Sequence, residues 1–508
     1  MTSSVTTSEQ SKPVVTNEMA VEKEGLVSAA FLKWSITILL AYFGIRLVYF
    51  ALNISAFVPP DEVTHAGICT VFSKVFLLPG NAPETYEFGL VTNIPWLYYW
   101  TMGKLLHLNF VGLPDLVYLR LLNIPLAFGT VYFARRSLLL LTDDRLTQLL
   151  LVVAMTNTAM FSVMSASVSY DNLTNLLAAM AVFYLLAFFK KRSGNLLAAA
   201  FLVQLAGCLT KITFLPLVLV LNLLLVVHEA RNLYSLPSSL SCWFRTSGRR
   251  VWLLMVAILF ALGLNLMLYA GNYLRYGVLI PSMPMVLSPA IAMNYRLEAR
   301  GIIFDRYKKG EISYMDALIL TGEIKHPGDK ADTFYLLMNY ENLKRNPQLW
   351  LGPLQYVKVW FINMVSTVFG IKAHLVMVKE LRYLMPLYLV MSLALLGFIV
   401  RWRPRESGWL PPCLATIAGF YAGYLMIEIN YSSYLQYGAP GITLYGRYLF
   451  VLLTPVYVLI CYYLLQLFRA EYIRIALALA TALLLIAYDF PWFLTHATPE
   501  WFMLKVEG

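Results

Sequence analysis

Two acidic residues and a histidine follow a pair of prolines near the start of the chain. Asp61 and Glu62 come directly after Pro59 and Pro60, and His65 lies one helical turn beyond Asp61, on the same helix face. Adjacent carboxylates repel each other and a reduced dielectric disfavours their charge, so both effects raise a carboxylate pKa and suit a general base. A helix N-terminus stabilised by acids and a metal ion held by Asp61 and His65 are the alternative interpretations.

Two further polar positions could take part in chemistry. Asp171 follows Ser169 and Tyr170 at the start of an apolar run, where an acid either caps a helix or serves a site. Lys211 follows Leu209-Thr210 between two apolar runs. A snorkelling side chain and a phosphate partner are the two interpretations of Lys211.

An arginine lies between a glycine and a tyrosine at the start of another apolar run, in Gly446-Arg447-Tyr448. Glycine allows close backbone approach, and arginine suits bidentate binding of phosphate. The alternative is an interfacial anchor with an aromatic belt. Arg46 lies inside an apolar run and needs a partner or a water-filled cavity.

The elements that must position these residues are membrane-spanning helices. The chain has 508 residues, of which 59% are hydrophobic and 13% charged, against roughly 25% charged in an ordinary globular domain. Its mean hydropathy is +0.65. A soluble protein has too little interior for so much apolar side chain. The excess of 39 basic over 28 acidic residues lies mostly in short loops, which argues against a nucleic-acid surface.

Apolar runs predict about eleven spans. They cover residues 34–52, 117–141, 146–164, 172–190, 195–209, 212–228, 251–270, 382–400, 409–428, 448–467 and 473–489. Basic clusters then indicate the cytoplasmic side. These clusters comprise Arg135, Arg136, Arg145, Lys190, Lys191, Arg192, Arg231, Arg245, Arg249, Arg250, Arg401, Arg403, Arg405, Arg469 and Arg474. The N-terminus is expected inside and the C-terminus outside, with 194–228 forming a hairpin that has Lys211 at its outer turn.

Three segments are predicted outside the membrane on the far side from the cytosol. The first, 53–116, contains amphipathic stretches at 61–78 and 96–108 that suit helices lying in the interface. The second, 271–381, has the composition of a soluble segment, with an apolar helix resting on the membrane at 351–370. The third is 429–447. A disordered cytoplasmic tail is expected over 1–30, a membrane domain over 31–490 and an external tail over 491–508.

The five cysteines are scattered and form neither CxxC motifs nor Cys/His clusters, so we expect no disulfide framework and no zinc site. Under the predicted topology, Asp61 and Glu62, Asp171, Lys211 and Arg447 meet at one membrane face. Bases and cations at an outer membrane surface suit transfer chemistry on a lipid-linked phosphate, where the carboxylate activates a hydroxyl and the cations stabilise the leaving group.

These motifs, taken in order, resemble a known family. The motifs are Pro-Pro-Asp61-Glu62 with His65, Tyr170-Asp171, Leu-Thr-Lys211, the run from Ser366 to Gly370, and Gly446-Arg447-Tyr448. They resemble bacterial multi-span membrane proteins, formerly of unknown function, that look like a branch of the GT-C glycosyltransferase superfamily. The resemblance runs from about 34 to 470. Tyr445 stands where the family often has Gln, and Ser169-Tyr170 where it often has Asn-Pro or a similar small pair before the second acid; both departures leave substrate choice more open than reaction class.

The resemblance implies a GT-C enzyme that takes a sugar from a polyprenyl-phosphate carrier at the outer face of a bacterial inner membrane. We expect the acceptor to be a surface glycan or its lipid-linked precursor, and the reaction to be inverting and independent of a metal ion or other cofactor. The implied catalytic residues are Asp61, with Glu62 as a substitute base, and Asp171. The resemblance also implies that Arg447 holds the carrier phosphate, and we expect His65, Tyr170, Lys211 and Tyr448 to bind substrate with it. A flippase or transporter of lipid-linked sugars and a polysaccharide polymerase are the alternative functions.

Overall fold

The apolar runs form helices that organise the whole chain. The computed structural model describes residues 27–230, 248–295, 298–325, 327–402 and 408–502. Within these ranges, nine helical segments are long and apolar enough to cross a membrane. They are Ala29–Asn53, Asp115–Leu138, Tyr170–Lys191, Ile212–Glu229, Trp252–Tyr276, Leu381–Arg401, Leu410–Tyr437, Gly446–Gln466 and Glu471–His496. The prediction of an all-α multi-pass membrane protein is confirmed.

The helices up to residue 229 carry most of the polar motifs, and we number them in chain order. They are α1 (Ala29–Asn53), α2 (Glu62–Ser73), α3 (Leu97–Leu106), α4 (Asp115–Leu138), α5 (Arg145–Thr156), α6 (Ala159–Ser165), α7 (Tyr170–Lys191), α8 (Gly194–Thr210) and α9 (Leu215–Glu229). α7 is the central helix, with 78% of its most apolar stretch buried inside the protein. The helices α2 and α3 confirm the two short helices predicted at 61–78 and 96–108.

Two of the eleven predicted spans are not single long helices. The segment predicted at 146–164 is the pair α5 and α6, which meet at an angle of 65°. The segment predicted at 195–209 is α8, a helix of 17 residues. α8 and α9 form the expected hairpin, because Asn222 donates a hydrogen bond of 3.0 Å to the side chain of Gln204 across it. Lys211 therefore lies at the turn, as predicted.

Three spans are longer than the hydropathy pattern indicated. Trp252–Tyr276 and Leu410–Tyr437 continue through π-helical turns at Leu266–Ala270 and Leu425–Tyr431. The external segments predicted from 271 and 429 thus begin several residues later. The last span continues past Asp489 as the short helix Phe490–His496, so the predicted tail begins inside a helix. The predicted N-terminal tail up to residue 26, the arginines at 231, 245, 403 and 405, Cys242, and residues 503–508 lie outside the described ranges.

The break between α5 and α6 is held by a buried ion pair. The guanidinium of Arg46 contacts Asp489 and also donates to the carbonyl of Thr156, at the break itself, over 2.5 Å. Ser162 of α6 donates to the same carboxylate over 3.3 Å. A bend inside a membrane frees a backbone carbonyl that needs a new donor. The partner that the sequence required for Arg46 is therefore Asp489.

The long segment between Trp252–Tyr276 and Leu381–Arg401 is mostly helical. Its helices are Met283–Leu287, Pro289–Ala292, Glu298–Lys308, Tyr314–Gly322, Pro327–Arg345 and Pro353–Phe369, with a short 3₁₀ turn at Pro347–Leu349. The helix Pro353–Phe369 confirms the helix predicted at 351–370. It is followed by an antiparallel hairpin of Ile371–Lys372 and Val376–Met377. The amide of His374 in this hairpin donates to the carbonyl of Val58 over 3.1 Å, which brings the hairpin beside Asp61.

Candidate active site

Asp61 lies at the first position before α2 in a left-handed backbone conformation, with φ 61° and ψ 14°. Asp is among the few residues that tolerate this region without glycine's freedom. Within the described part of the chain, its side chain makes no capping hydrogen bond to α2. The carboxylate instead accepts from Nη2 of Arg447 over 3.3 Å, and 37% of the side chain is exposed. A helix-capping role therefore does not account for Asp61.

Glu62 points the opposite way, into the protein. Its carboxylate pairs with Nε and Nη2 of Arg120 in α4, at 2.8 and 2.5 Å, and accepts from the amide of Val168 over 2.7 Å. Arg120 also donates to the carbonyls of Ala51 and Ile54, at the C-terminal end of α1, over 3.1 and 2.7 Å. We call Glu62–Arg120 the inner pair and Asp61–Arg447 the outer pair. Because Glu62 is fully buried and engaged, the expectation that it repels Asp61 and replaces it as a base does not fit its position.

Asp171 lies in the first turn of α7 and contacts Lys211. The cap of α7 is Ser169, whose side chain accepts from the amide of Asp171 over 3.2 Å. The carboxylate of Asp171 accepts from Nζ of Lys211 over 2.5 Å, and both side chains are buried. Lys211 is therefore paired inside the protein, which excludes a snorkelling role for its side chain.

Arg447 is positioned by the glycine before it. A Cβ on Gly446 would lie 2.5 Å from the amide nitrogen of Val368 and 2.7 Å from the carbonyl carbon of Thr367. The amide of Gly446 also donates to the hydroxyl of Thr367 over 2.9 Å. The predicted close backbone approach is thus confirmed, and it docks the Gly-Arg-Tyr motif against the run from Ser366 to Gly370.

The guanidinium of Arg447 is buried but incompletely bonded. Apart from Asp61, it reaches the carbonyl of Pro60 over 3.4 Å, which is a long contact for a charged donor. Among the described residues, Nε of Arg447 has no hydrogen-bond partner. Burying an unpaired donor of this kind costs free energy, which an acceptor that binds there recovers.

Aromatic rings surround the two cations. The ring centroid of Tyr448 lies 5.3 Å from Nζ of Lys211 and 5.3 Å from Cζ of Arg447. The ring of Tyr170 lies 4.8 Å from Nζ of Lys211, and that of Tyr445 lies 5.5 Å from Cζ of Arg447. At these distances the ring faces attract cations. Tyr448 is the ring that both cations share.

His65 completes the wall of the site beside Tyr170. Its Nδ1 is hydrogen-bonded to the hydroxyl of Tyr99 over 2.8 Å, and its ring packs edge-on against Tyr170 with 4.6 Å between centroids. Burial lowers the pKa of His65 to about 4, so it is neutral near pH 7. His65 therefore orients its neighbours without adding charge.

The sequence predicted a raised pKa for Asp61, and the direction of this prediction is wrong. Burial raises this pKa, but the charge of Arg447 lowers it, and the net pKa lies below the ordinary value of 3.8. The reason is that the neighbouring charge is the cation Arg447, while the carboxylate of Glu62 is held away in the inner pair. Asp61 is thus an ionised, partly exposed carboxylate.

The structure brings together the eight residues that the sequence indicated, except that Glu62 faces inward. Four others are part of the same assembly, namely Tyr99, Arg120, Lys372 and Tyr445. Lys372 donates to the carbonyls of Gly441 and Leu444 and lies 4.7 Å from the ring centroid of Tyr445. Arg120, like Arg46, is a cation inside an apolar run. The sequence alone therefore indicates that Arg120 needs a buried partner. In the described ranges, no group of three or more His, Cys, Asp or Glu side chains is arranged to hold a metal ion.

Of three comparisons of this chain with known proteins, the search of solved structures finds matches. No family model matches the chain, and no curated protein matches it. A search of solved structures finds ArnT from Cupriavidus metallidurans in the apo state, with 15% identity over 81% of this chain and 78% of that chain, at a TM-score of 0.37. The same protein bound to undecaprenyl phosphate matches with 15% identity over 78% and 76%, at a TM-score of 0.36. ArnT is a GT-C glycosyltransferase. Since these scores are low, the likeness carries no argument for function, which rests below on the site itself.

Proposed function

We propose that this chain is a membrane glycosyltransferase that moves a sugar from a polyprenyl-phosphate carrier to an acceptor hydroxyl. The observation that carries the proposal is the outer pair. It joins an ionised, partly exposed carboxylate to a buried guanidinium that has an unused donor. A reaction that takes a proton from a hydroxyl and releases a phosphate needs a base and a phosphate-binding cation in one site.

The phosphate of the donor would bind to Arg447 and Lys211. The contacts of Arg447 to Asp61 and Pro60 are long, at 3.3 and 3.4 Å. An incoming phosphate would therefore displace them at a small cost in free energy. Nε of Arg447 and one Nη then form the planar fork that binds two oxygens of a phosphate. Lys211 supplies the second positive charge, and Asp171 acts as a positioning residue that holds it beside Tyr448.

Asp61 would act as the base on the acceptor. When phosphate takes over Arg447, the cation that lowers the pKa of Asp61 is neutralised, and the carboxylate becomes more basic. The acceptor oxygen attacks the anomeric carbon as its proton passes to Asp61. The bond from that carbon to the phosphate oxygen breaks, and polyprenyl phosphate leaves with the electron pair. A single displacement of this kind inverts the anomeric configuration. Glu62 is not part of this step, because the inner pair occupies it.

The carrier's hydrocarbon chain fits the surroundings of Arg447. An apolar cavity of about 270 Å³ lies among Pro353–Phe369, Leu410–Tyr437 and the helix that follows Arg447. Leu449 and Phe450, two and three residues after Arg447, line it. An apolar space lined by residues that follow Arg447 so closely in the chain supports a lipid-linked phosphate over a soluble sugar nucleotide. We place the reaction at the outer face of a bacterial inner membrane, following the charge asymmetry of the loops, with a surface glycan or its lipid-linked precursor as the acceptor.

The test is sugar transfer from radiolabelled polyprenyl-phosphate monosaccharide by the purified protein in detergent. Asp61→Asn should lower the rate by about 10²–10⁴-fold, the usual contribution of a general base. Asp115→Asn is the matched control, because Asp115 is an exposed acid at the end of the same external segment. It should leave the rate unchanged. Near-normal transfer by Asp61→Asn would remove Asp61 from this role.

The same assay separates the alternative functions. A flippase would move the carrier across a bilayer but release no sugar from it. A polymerase would ignore the monosaccharide carrier and act on a lipid-linked oligosaccharide. Either outcome with the wild-type protein would overturn the proposal.

A further inference from the structure

A cluster of apolar side chains is exposed where α2 and α3 end. Phe76 and Leu77 follow α2 and are 85% and 68% exposed, while Phe110 and Val111 follow α3 and are 85% and 80% exposed. Leu78 and Leu108 add to the same cluster. We call residues 74–78 and 107–111 the loop tip. Surfaces in water rarely leave so many large apolar side chains uncovered in one place.

The two halves of the loop tip are held together. Nζ of Lys104 donates to the carbonyl of Phe72 over 2.9 Å, and Nε2 of His107 contacts the carbonyl of Ser73 over 2.9 Å. Nε1 of Trp100 donates to the carbonyl of Phe76 over 3.4 Å. These contacts join the end of α2 to the end of α3, so the loop tip is one preformed surface.

The sides of α2 and α3 are covered. Their apolar residues pack against each other and against α4, with Phe72, Tyr99 and Leu119 in one buried cluster. Of all the described residues of these two helices, only Val63 is a strongly exposed large apolar residue. The expectation that both helices lie flat with an apolar face on the bilayer therefore has little exposed surface to support it. Their exposed apolar surface is at their ends.

The position of the loop tip points to lipid as its cover. Val111 precedes the first residue of α4, the membrane-spanning helix, by four residues, which span at most about 14 Å even when fully extended. Lys74 and His107 are exposed beside the apolar side chains. A lysine and a polar histidine beside an apolar tip suit the phosphates of an anionic leaflet above its acyl chains.

We propose that the loop tip inserts into the outer leaflet of the phospholipid bilayer and anchors the end of α2. α2 has 12 residues and is about 18 Å long. Since Asp61 lies at its other end, the insertion sets the height of this carboxylate above the acyl chains. The inference that the loop tip inserts does not rest on the function proposed for Asp61.

Spin labels test the insertion directly. Single cysteines are introduced by Phe76→Cys and Phe110→Cys, in a Cys242→Ser background, since the other four cysteines are buried. Each protein is placed in vesicles of phosphatidylethanolamine and phosphatidylglycerol. Collisions of the label with oxygen, which partitions into lipid, are compared with collisions with a water-soluble nickel chelate. Leu483→Cys, on the exposed side of the last span, is the lipid reference, and Lys309→Cys, on an exposed external turn, is the water reference.

The proposal expects labels at 76 and 110 to meet oxygen more than nickel, as the label at 483 does. Labels that meet nickel as freely as the label at 309 would overturn it, because the loop tip would then lie in water. Labels shielded from both reagents would also overturn it, because a protein surface would then cover the loop tip.

Discussion

Two carboxylates that are neighbours in the chain have opposite surroundings. In the inner pair, Glu62 is fully buried. Two nitrogens of the Arg120 guanidinium donate to its carboxylate, and the third donates to two backbone carbonyls. In the outer pair, Asp61 is partly exposed, and Arg447 meets it through one long contact and keeps a buried donor without an acceptor in the described chain.

The number of unused hydrogen-bond donors distinguishes a structural ion pair from a binding site. The inner pair ties the C-terminal end of α1, the start of α2, α4 and the segment before α7 into one unit, and its charged groups already have partners in the described chain. The outer pair leaves donors unused, so a phosphate that supplies the missing acceptors gains free energy there.

The sharpest test makes the same substitution in both pairs. Arg447→Gln should lower sugar transfer by about 10²–10³-fold, as the loss of a donor to a developing oxyanion does, with little change in thermal unfolding. Arg120→Gln should lower the free energy of unfolding by about 3–5 kcal/mol, because it leaves the buried carboxyl of Glu62 without its ion-pair partner. Transfer rates and melting in detergent measure the two effects. If both variants lost stability equally, the distinction between the pairs would fail.

The backbone contact that positions the outer pair gives the next largest effect. The Cβ in Gly446→Ala would press against backbone atoms of Thr367 and Val368 and displace Arg447. A shift of about 1 Å in a positioning group costs up to about 10²-fold in rate. The matched control is Gly423→Ala, where an added Cβ meets no atom of the described chain within 4 Å. A normal rate for Gly446→Ala, measured in the same transfer assay, would contradict the docking role of Gly446.

The pH dependence sharpens the comparison. The pKa of Asp61 is below 3.8 in the folded protein because of Arg447. The ion pair is therefore complete above the ordinary carboxylate pKa and is lost as the pH falls through the lowered value. In Arg447→Gln, burial still raises the pKa of Asp61, but the charge that lowers this pKa most is removed. The acid limb of kcat/KM should therefore move to higher pH. An unchanged limb would mean that Arg447 does not control the ionisation of Asp61.

The smallest effect concerns the ring between the two cations. Tyr448→Leu removes the aromatic face near Lys211 and Arg447, and should cost about 0.5–2 kcal/mol of transition-state stabilisation. Tyr448→Phe keeps the ring and should retain most of the activity. Equal losses of kcat/KM in the two variants would assign the effect to the hydroxyl group and not to the ring face.

Much of the fold follows from the sequence because a bilayer imposes simple rules. Within the described residues, each of the eleven predicted apolar runs is helical, although only nine of them are single helices long enough to span. The position of Arg46 inside an apolar run also indicated that it needs a partner. The bend between α5 and α6 was missed, since an apolar run has the same composition whether it is straight or broken. The extensions through Gly271–Tyr276 and Ser432–Tyr437 were missed because those helices continue into less apolar residues.

The sequence by itself determined that Asp61, Asp171, Lys211 and Arg447 reach the same side of the helical body, because each lies at the end of an apolar run whose direction alternates. It could not determine which of two consecutive acids serves the site. That choice depends on Arg120 and Val168, which are 58 and 106 residues from Glu62 in the chain. Only the tertiary structure brings them around one carboxylate and turns the other toward the opening, because burying the carboxylate of Glu62 requires the partners that Arg120 and Val168 supply.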